Sequence, residues 1–254
     1  MMKAILTVAL MASCGGVTRE QVVRSQREFD LAVGLYEEHN VPSAFEHLLE
    51  SLELDAENPE AHLLLGKLLM IHRSDFAQAE LHMREAIRVN AIHEVRVGLP
   101  ADARNALGVL FINAGRYQDA VEVLREASSD LMNREPELTY ANLARAYLEL
   151  EQLDEALQAA VQSQQQSPNF CVGLFWLGEV RLARQEREPA LEVLDHLLDL
   201  EQCQSLQRAW RLRGEVKAHL SDREGAVVDF ESCVELGPQT EDGRACQRYL
   251  ATSP

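Results

Sequence analysis

Along most of the chain, apolar residues return every three to four positions, small residues recur among them at fixed places, and short polar turns break the run. Residues 101 to 134 show the pattern most fully. Leu107, Gly108 and Phe111 fall on one helical face, Gly115 ends that helix, and Ala120, Leu124 and Ala127 form the facing stripe of a second. This predicts a hairpin of two antiparallel helices, in which Gly108, Ala120 and Ala127 permit close approach while Phe111 and Leu124 fill the spaces between. A single hairpin cannot bury its outer face, so further copies are expected on both sides.

The copies can be read in order. A first hairpin has Leu31, Ala32 and Leu35, then Pro42 near the start of a second helix carrying Ala44, Leu48 and Ser51. A second has Leu65, Gly66 and Leu69, then Ala79, Met83 and Ala86, with one extra residue in its internal turn. After a long connection, Ile92 to Pro100, read as either a loop or an extension of the preceding helix, comes the hairpin described above. The fourth carries Tyr140, Leu143, Ala144 and Tyr147, then Ala156, Ala160 and Ser163; the fifth Leu177 and Gly178, then Ala190, Leu194 and Leu197; the sixth Trp210 and Gly214, then Ala226, Phe230 and Cys233. Glu241 to Leu250 read as a final helix capping the open end. Thr18 and Gln21 match a capping box, so the first helix is expected from Arg19 to about His39. This order of small and large residues resembles the tetratricopeptide repeat, whose period is about 34 residues. The resemblance implies an all-α fold, a right-handed α-solenoid of six such hairpins plus a C-terminal capping helix, with residues 19 to 254 as one domain.

The N-terminus has a different character. Lys3 precedes an apolar run from Ala4 to Ala12, too short to span a bilayer but suited to a secretory signal. Leu10-Met11-Ala12-Ser13-Cys14-Gly15 resembles a bacterial lipobox, with an ordinary signal peptide as the alternative. The resemblance implies that residues 1 to 13 are a signal peptide and that residues 14 to 18 comprise an acylated Cys14 and a short tether. Gly15, Gly16 and Val17 reach about 10 Å when extended, which would keep the folded body close to the bilayer. Gly15 stands where the resemblance would place an aspartate for inner-membrane retention, so the expected location is the periplasmic face of the outer membrane.

Composition narrows the function. The formal charge of −17, with no basic cluster to offset it, opposes binding to nucleic acid. The eight histidines are scattered with no i, i+4 pair on one helix, so no metal site is expected. Neither a Gly-rich phosphate loop nor a nucleophile elbow is present. The irregular connection offers only His93, Glu94 and Arg96 for chemistry, so no catalytic residue, cofactor or small-molecule substrate is assigned. Cys171 and Cys203, at the two ends of the fifth hairpin, and Cys233 and Cys246, on the last hairpin helix and the cap, could form disulfides in an oxidising compartment or remain buried thiols.

The first helices of such hairpins are expected to line the concave face. There the chain carries Phe29, Val33, Tyr36, Leu63, Met70, Val109, Ile112, Leu148, Phe175 and Leu182, a stripe read as a groove for an apolar segment of another protein, several of whose members could equally complete the core. Asn105 and Asn113 flank that face in the third hairpin, as backbone-binding groups or as ordinary polar residues. Relatives that hold a terminal carboxylate do so with lysines and asparagines, and Phe29, Val33, Leu63 and Lys67 at the matching positions disfavour that mode. The lipobox-like start together with Asn105-Ala-Leu-Gly, Gly115-Arg-Tyr-Gln-Asp-Ala120 and Glu137-Leu-Thr-Tyr-Ala-Asn-Leu-Ala144 resembles the pilotin lipoproteins of type IV pili, the PilF, PilW and Tgl group. That resemblance implies an outer-membrane lipoprotein that binds secretin subunits and promotes assembly of the pore through which the pilus passes. A lipoprotein scaffold of the same fold, serving cell-wall synthesis or outer-membrane protein insertion, is the alternative.

Overall fold

The computed structural model describes residues 17–93 and 97–252. The signal-like run, Cys14, Glu94, Arg96 and the side chain of His93 lie outside the described residues. Within them the chain is a succession of helices: α1 (Arg19–Glu37), α2 (Val41–Leu54), α3 (Pro59–Leu68), α4 (Phe76–His93), α5 (Leu99–Asn113), α6 (Tyr117–Ser129), α7 (Pro136–Glu149), α8 (Leu153–Gln166), α9 (Cys171–Ala183), α10 (Arg187–Asp199), α11 (Gln207–His219), α12 (Arg223–Leu236) and α13 (Glu241–Thr252). They pair as six hairpins, α1 with α2 through α11 with α12, and α13 packs on α12 as a cap.

The helix starts follow local chemistry. At α1 the Gln21 amide donates to Thr18 Oγ1 at 3.2 Å while the Thr18 amide donates to Gln21 Oε1 at 2.9 Å, the reciprocal capping box its sequence announces. Pro42, Pro59, Pro100 and Pro136 all occupy first turns, where a missing N–H costs nothing.

Each hairpin turns through one residue with positive φ: His39, Ser74, Gly115, Glu151, Gln185 and Ser221. In five of them the amide of the next residue donates back across the turn to the carbonyl five positions earlier, as from Arg116 to Phe111 at 2.8 Å and from Glu186 to Arg181 at 2.9 Å. The second hairpin differs. There Leu69–Arg73 form a π-turn and the Asp75 amide reaches six positions back to the Leu69 carbonyl at 3.2 Å. The extra residue read from the sequence is thus absorbed by widening the last turn of the helix, and the register of α4 is kept. The described part of the long connection extends the helices on either side of it. α4 runs through Ile92 to His93, and Leu99 already begins α5 after Gly98, whose φ of 87° suits glycine.

Packing inside the hairpins alternates small and large residues. A Cβ on Gly66 would stand 2.9 Å from Met83 Cγ, one on Gly178 2.9 Å from Leu194 Cδ2, and one on Gly214 2.9 Å from a ring carbon of Phe230. Leu107, Leu110, Phe111 and Leu124 around the central contact are at most 1% exposed. Burial of each such side chain contributes about 1.5–3 kcal/mol. Where a position between helices is polar it is bonded: Ser51 Oγ donates to the Ser25 carbonyl at 2.9 Å, and Ser163 Oγ to the Glu137 carbonyl at 2.7 Å.

Between hairpins, each second helix packs on the first helix of the next, and the first helices α3, α5, α7, α9 and α11 also touch one another in series. The first helices therefore crowd on one side, which is the inner face of the solenoid. At the C-terminal end Cys171 and Cys203 are disulfide-bonded with Cα atoms 5.5 Å apart, and Cys233 and Cys246 are bonded with Cα atoms 6.4 Å apart. The first bond joins the start of α9 to the turn after α10, and the second pins the cap to α12.

Candidate functional site on the inner face

The inner face divides into two chemically distinct halves. In the N-terminal half, α1 presents Phe29, Val33 and Tyr36, all half-buried, and the π-turn holds half-buried Met70 beside Ile71, which is 57% exposed. Tyr36 meets His72 edge to face, with ring centroids 6.0 Å apart. Met70 and Ile71, with Lys67, Asp102, Asn105, Val109 and Leu138, line a groove of about 410 Å³ between the second and fourth hairpins. Met70, Ile71, Ala106, Val109 and Leu138 give this trough its apolar surface, and Lys67, Asp102, Arg134 and Glu135 line it as charged groups.

Several residues of the expected stripe do not belong to it. Leu63, Ile112 and Phe175 are 8%, 3% and 3% exposed. They are consumed by the contacts between successive first helices, which close over any large side chain pointing toward the neighbouring repeat. Leu148 and Leu182 are half-buried. Asn105 is half-buried and already bonded, accepting from Asn142 Nδ2 at 2.9 Å, whereas exposed Asn113 accepts a long bond from Arg145 Nη2 at 3.4 Å.

The C-terminal half of the face is charged where a continuous apolar stripe was expected. Arg145 follows Ala144 in the fourth hairpin as Val109 follows Gly108 in the third. Its Cζ lies 5.5 Å from the Trp176 ring centroid. Arg208 lies over the same ring at 5.6 Å and over Phe175 at 4.9 Å. Beyond them Arg211 pairs with Glu215 at 2.9 Å and with Asp242 of the cap helix at 2.8 Å. Glu179 stands among these arginines, yet its nearest ion pair, to Arg208, is 4.0 Å long. Burial raises the Glu179 carboxyl above its ordinary range, with Arg208 and Arg211 pulling the other way.

Two clusters were missed because their members sit on different helices. His62 and His82 meet with Nδ1 atoms 2.9 Å apart, and His62 Nε2 lies 3.0 Å from the Ala56 carbonyl oxygen. Burial lowers the His82 pKa, the charge of His62 lowers it further, and Glu85 partly opposes both. Glu28, His47 and Glu50 place one ligand atom each within 4.8 Å of one another, a spacing that could hold a divalent ion. The 2.7 Å hydrogen bond between His47 Nδ1 and Glu28 Oε2 accounts for two of them without an ion. The sequence signal for Arg145 was its place after Ala144, a position that points inward in every hairpin.

Two stretches, residues 101–129 and 139–170, match the tetratricopeptide repeat as a protein family. Among solved structures, PilF of Pseudomonas aeruginosa superposes with a TM-score of 0.72 at 19% identity, covering 91% of this chain and 100% of that one. PilW, described as a widely conserved type IV pilus biogenesis factor, gives 0.74 at 15% identity over 88% of this chain and 98% of that one. The Cut9–Hcn1 assembly of the APC/C gives 0.75 at 13% identity over 91% of this chain and 43% of that one. No curated protein matches the chain. At these identities the likeness concerns the fold, and the fold is a solenoid of tetratricopeptide-type hairpins.

Proposed function

We propose that this protein is a pilotin: a lipoprotein on the periplasmic face of the outer membrane that binds secretin subunits and promotes their assembly into the type IV pilus pore. The observation that supports the reading is the end-to-end correspondence with PilF and PilW, which reaches 100% of one and 98% of the other. The apolar trough around Met70, Ile71 and Val109 supports it, because an unassembled pore subunit carries surface that needs cover before it is built into a ring. Tethering through acyl chains on Cys14 would raise the effective concentration of bound subunits at the bilayer. In this reading the protein assembles others and performs no chemistry of its own.

Deleting the gene and blotting the secretin tests the assignment. Loss of secretin oligomers with accumulation of monomer is the expected result, and normal oligomers would reject it. Mass spectrometry of the mature N-terminus tests the anchor separately, an unmodified Cys14 being the outcome that removes it.

A further inference from the structure

Among the described residues Arg145 has no ion-pair partner, Glu149 acting on it only from a distance. Its Nε is sealed from solvent and has no acceptor among the described residues, its Nη2 has only the 3.4 Å contact with Asn113, and no carboxylate of the described residues lies within ion-pairing distance. The neighbouring cations are better served. Arg211 has Glu215 and Asp242, and Arg213 has Asp229 and Asp195. In a chain with 41 acidic and 24 basic residues, a partly buried guanidinium left without a carboxylate is an exception that composition does not explain.

The surroundings make the exception costly. Burial pushes the Arg145 pKa down and Arg208 pushes it the same way, with Glu149 and Tyr117 only partly opposing them. Two like charges thus share the Trp176 ring, and Arg208 is itself held by Glu179 only at 4.0 Å. An anion placed against both guanidiniums would relieve the repulsion and supply acceptors, and a planar carboxylate matches the guanidinium fork. Val109 of the apolar trough stands one helical turn before Asn113, which Arg145 touches at 3.4 Å, so a chain segment resting in the trough has Arg145 next along the inner face.

We propose that Arg145 and Arg208, both stacked on Trp176, bind the carboxylate of a partner peptide whose apolar residues occupy the neighbouring trough. This rests on reading the inner face as the partner groove. The bare carboxylate could come from a chain terminus or from an acidic side chain.

Nuclear magnetic resonance of the full soluble domain tests it, using the indole N–H signals of the two tryptophans, Trp176 beside the arginines and Trp210 as internal control. The probes are N-acetyl-leucine for a terminal carboxylate, N-acetyl-aspartic acid α-amide for a side-chain carboxylate, and neutral N-acetyl-leucine amide. The expected result is a saturable shift of Trp176 with one or both carboxylates, none with the amide, and a still Trp210. Arg145→Gln should weaken binding about tenfold or more, the loss of one charge-assisted pair, and Arg145→Lys should restore part of it. Arg208→Gln should weaken it less and serves as a second variant if Arg145→Gln fails to fold. No shift with either carboxylate, an equal shift with the amide, or unchanged affinity in Arg145→Gln would overturn the proposal. Secretin oligomers in the deletion strain report on the pilotin assignment alone, so the two ideas fail separately.

Discussion

Gly108 of α5 lies against Leu124 of α6 so closely that a methyl group added at the glycine would overlap Cγ and Cδ2 of the leucine. The central hairpin closes only because one residue has no side chain where the other has a large one. Gly108→Leu should therefore cost about 3 kcal/mol by overpacking, and Ala120→Asp, at a position with no exposure, on the order of 4 kcal/mol by burying an unpaired charge. Urea unfolding of both variants measures this, and parent-like midpoints would show that the helix register is misassigned.

Gln185 turns the fifth hairpin at a φ of 64° with its side chain exposed. Gly115 fills the same place in the third hairpin without strain. Gln185→Gly should raise stability by about 0.5–1 kcal/mol, the relief of left-handed strain exceeding the added freedom of the unfolded chain. A lowered melting temperature would contradict the turn geometry.

Asp229 is fully buried and receives Arg213 at 2.6 Å and Lys217 at 2.9 Å. Removing it by Asp229→Ala leaves two cations facing one another, with a cost of about 3–5 kcal/mol. Asp229→Asn keeps an acceptor and should cost less. Calorimetry that ranked the alanine variant as the milder would refute the account.

His82 sets a pH dependence. Its folded pKa lies below the ordinary 6.5, chiefly through burial, so the unfolded chain binds the extra proton more readily than the folded one. The stability it contributes is whole above about pH 6.5 and declines as pH falls through that value toward the folded pKa. His82→Gln should flatten the stability profile between about pH 7 and 5 relative to the parent. Parallel profiles for the two proteins would mean that folding does not lower the His82 pKa.

Much of the fold could be read from residues, because each hairpin repeats one constraint: a small residue opposite a large one, then a turn. Thr18 with Gln21, and the surplus residue before Ser74, are local features, and local features survive the step from sequence to structure. Two things did not. Ile112 and Phe175 occupy inward positions yet are buried, since the closeness of successive first helices is a property of the stack and leaves no mark within one repeat. The histidine pair joins the two helices of one hairpin, and the stacking of Arg145 and Arg208 on Trp176 joins three different hairpins, so a pattern scan along single helices brings neither together. An arginine on a helix face reads as a solvated charge until the ring beneath it is located.

The two disulfides are confined to the last two hairpins and the cap. There Cys171 is tied to Cys203 across 32 positions and Cys233 to Cys246 across 13. Covalent crosslinks stiffen one end of a spring whose remaining coils are held by contact alone. Were the solenoid loaded by a partner or by a membrane tether, the first four hairpins, which hold no disulfide among the described residues, would be the end free to bend. Those are the hairpins that carry the trough. In the proposed reading that end would adjust around an uneven apolar segment, while the crosslinks hold the fifth hairpin closed and the cap on the sixth, and Trp176 meets Arg208 across the packed contact between those two hairpins.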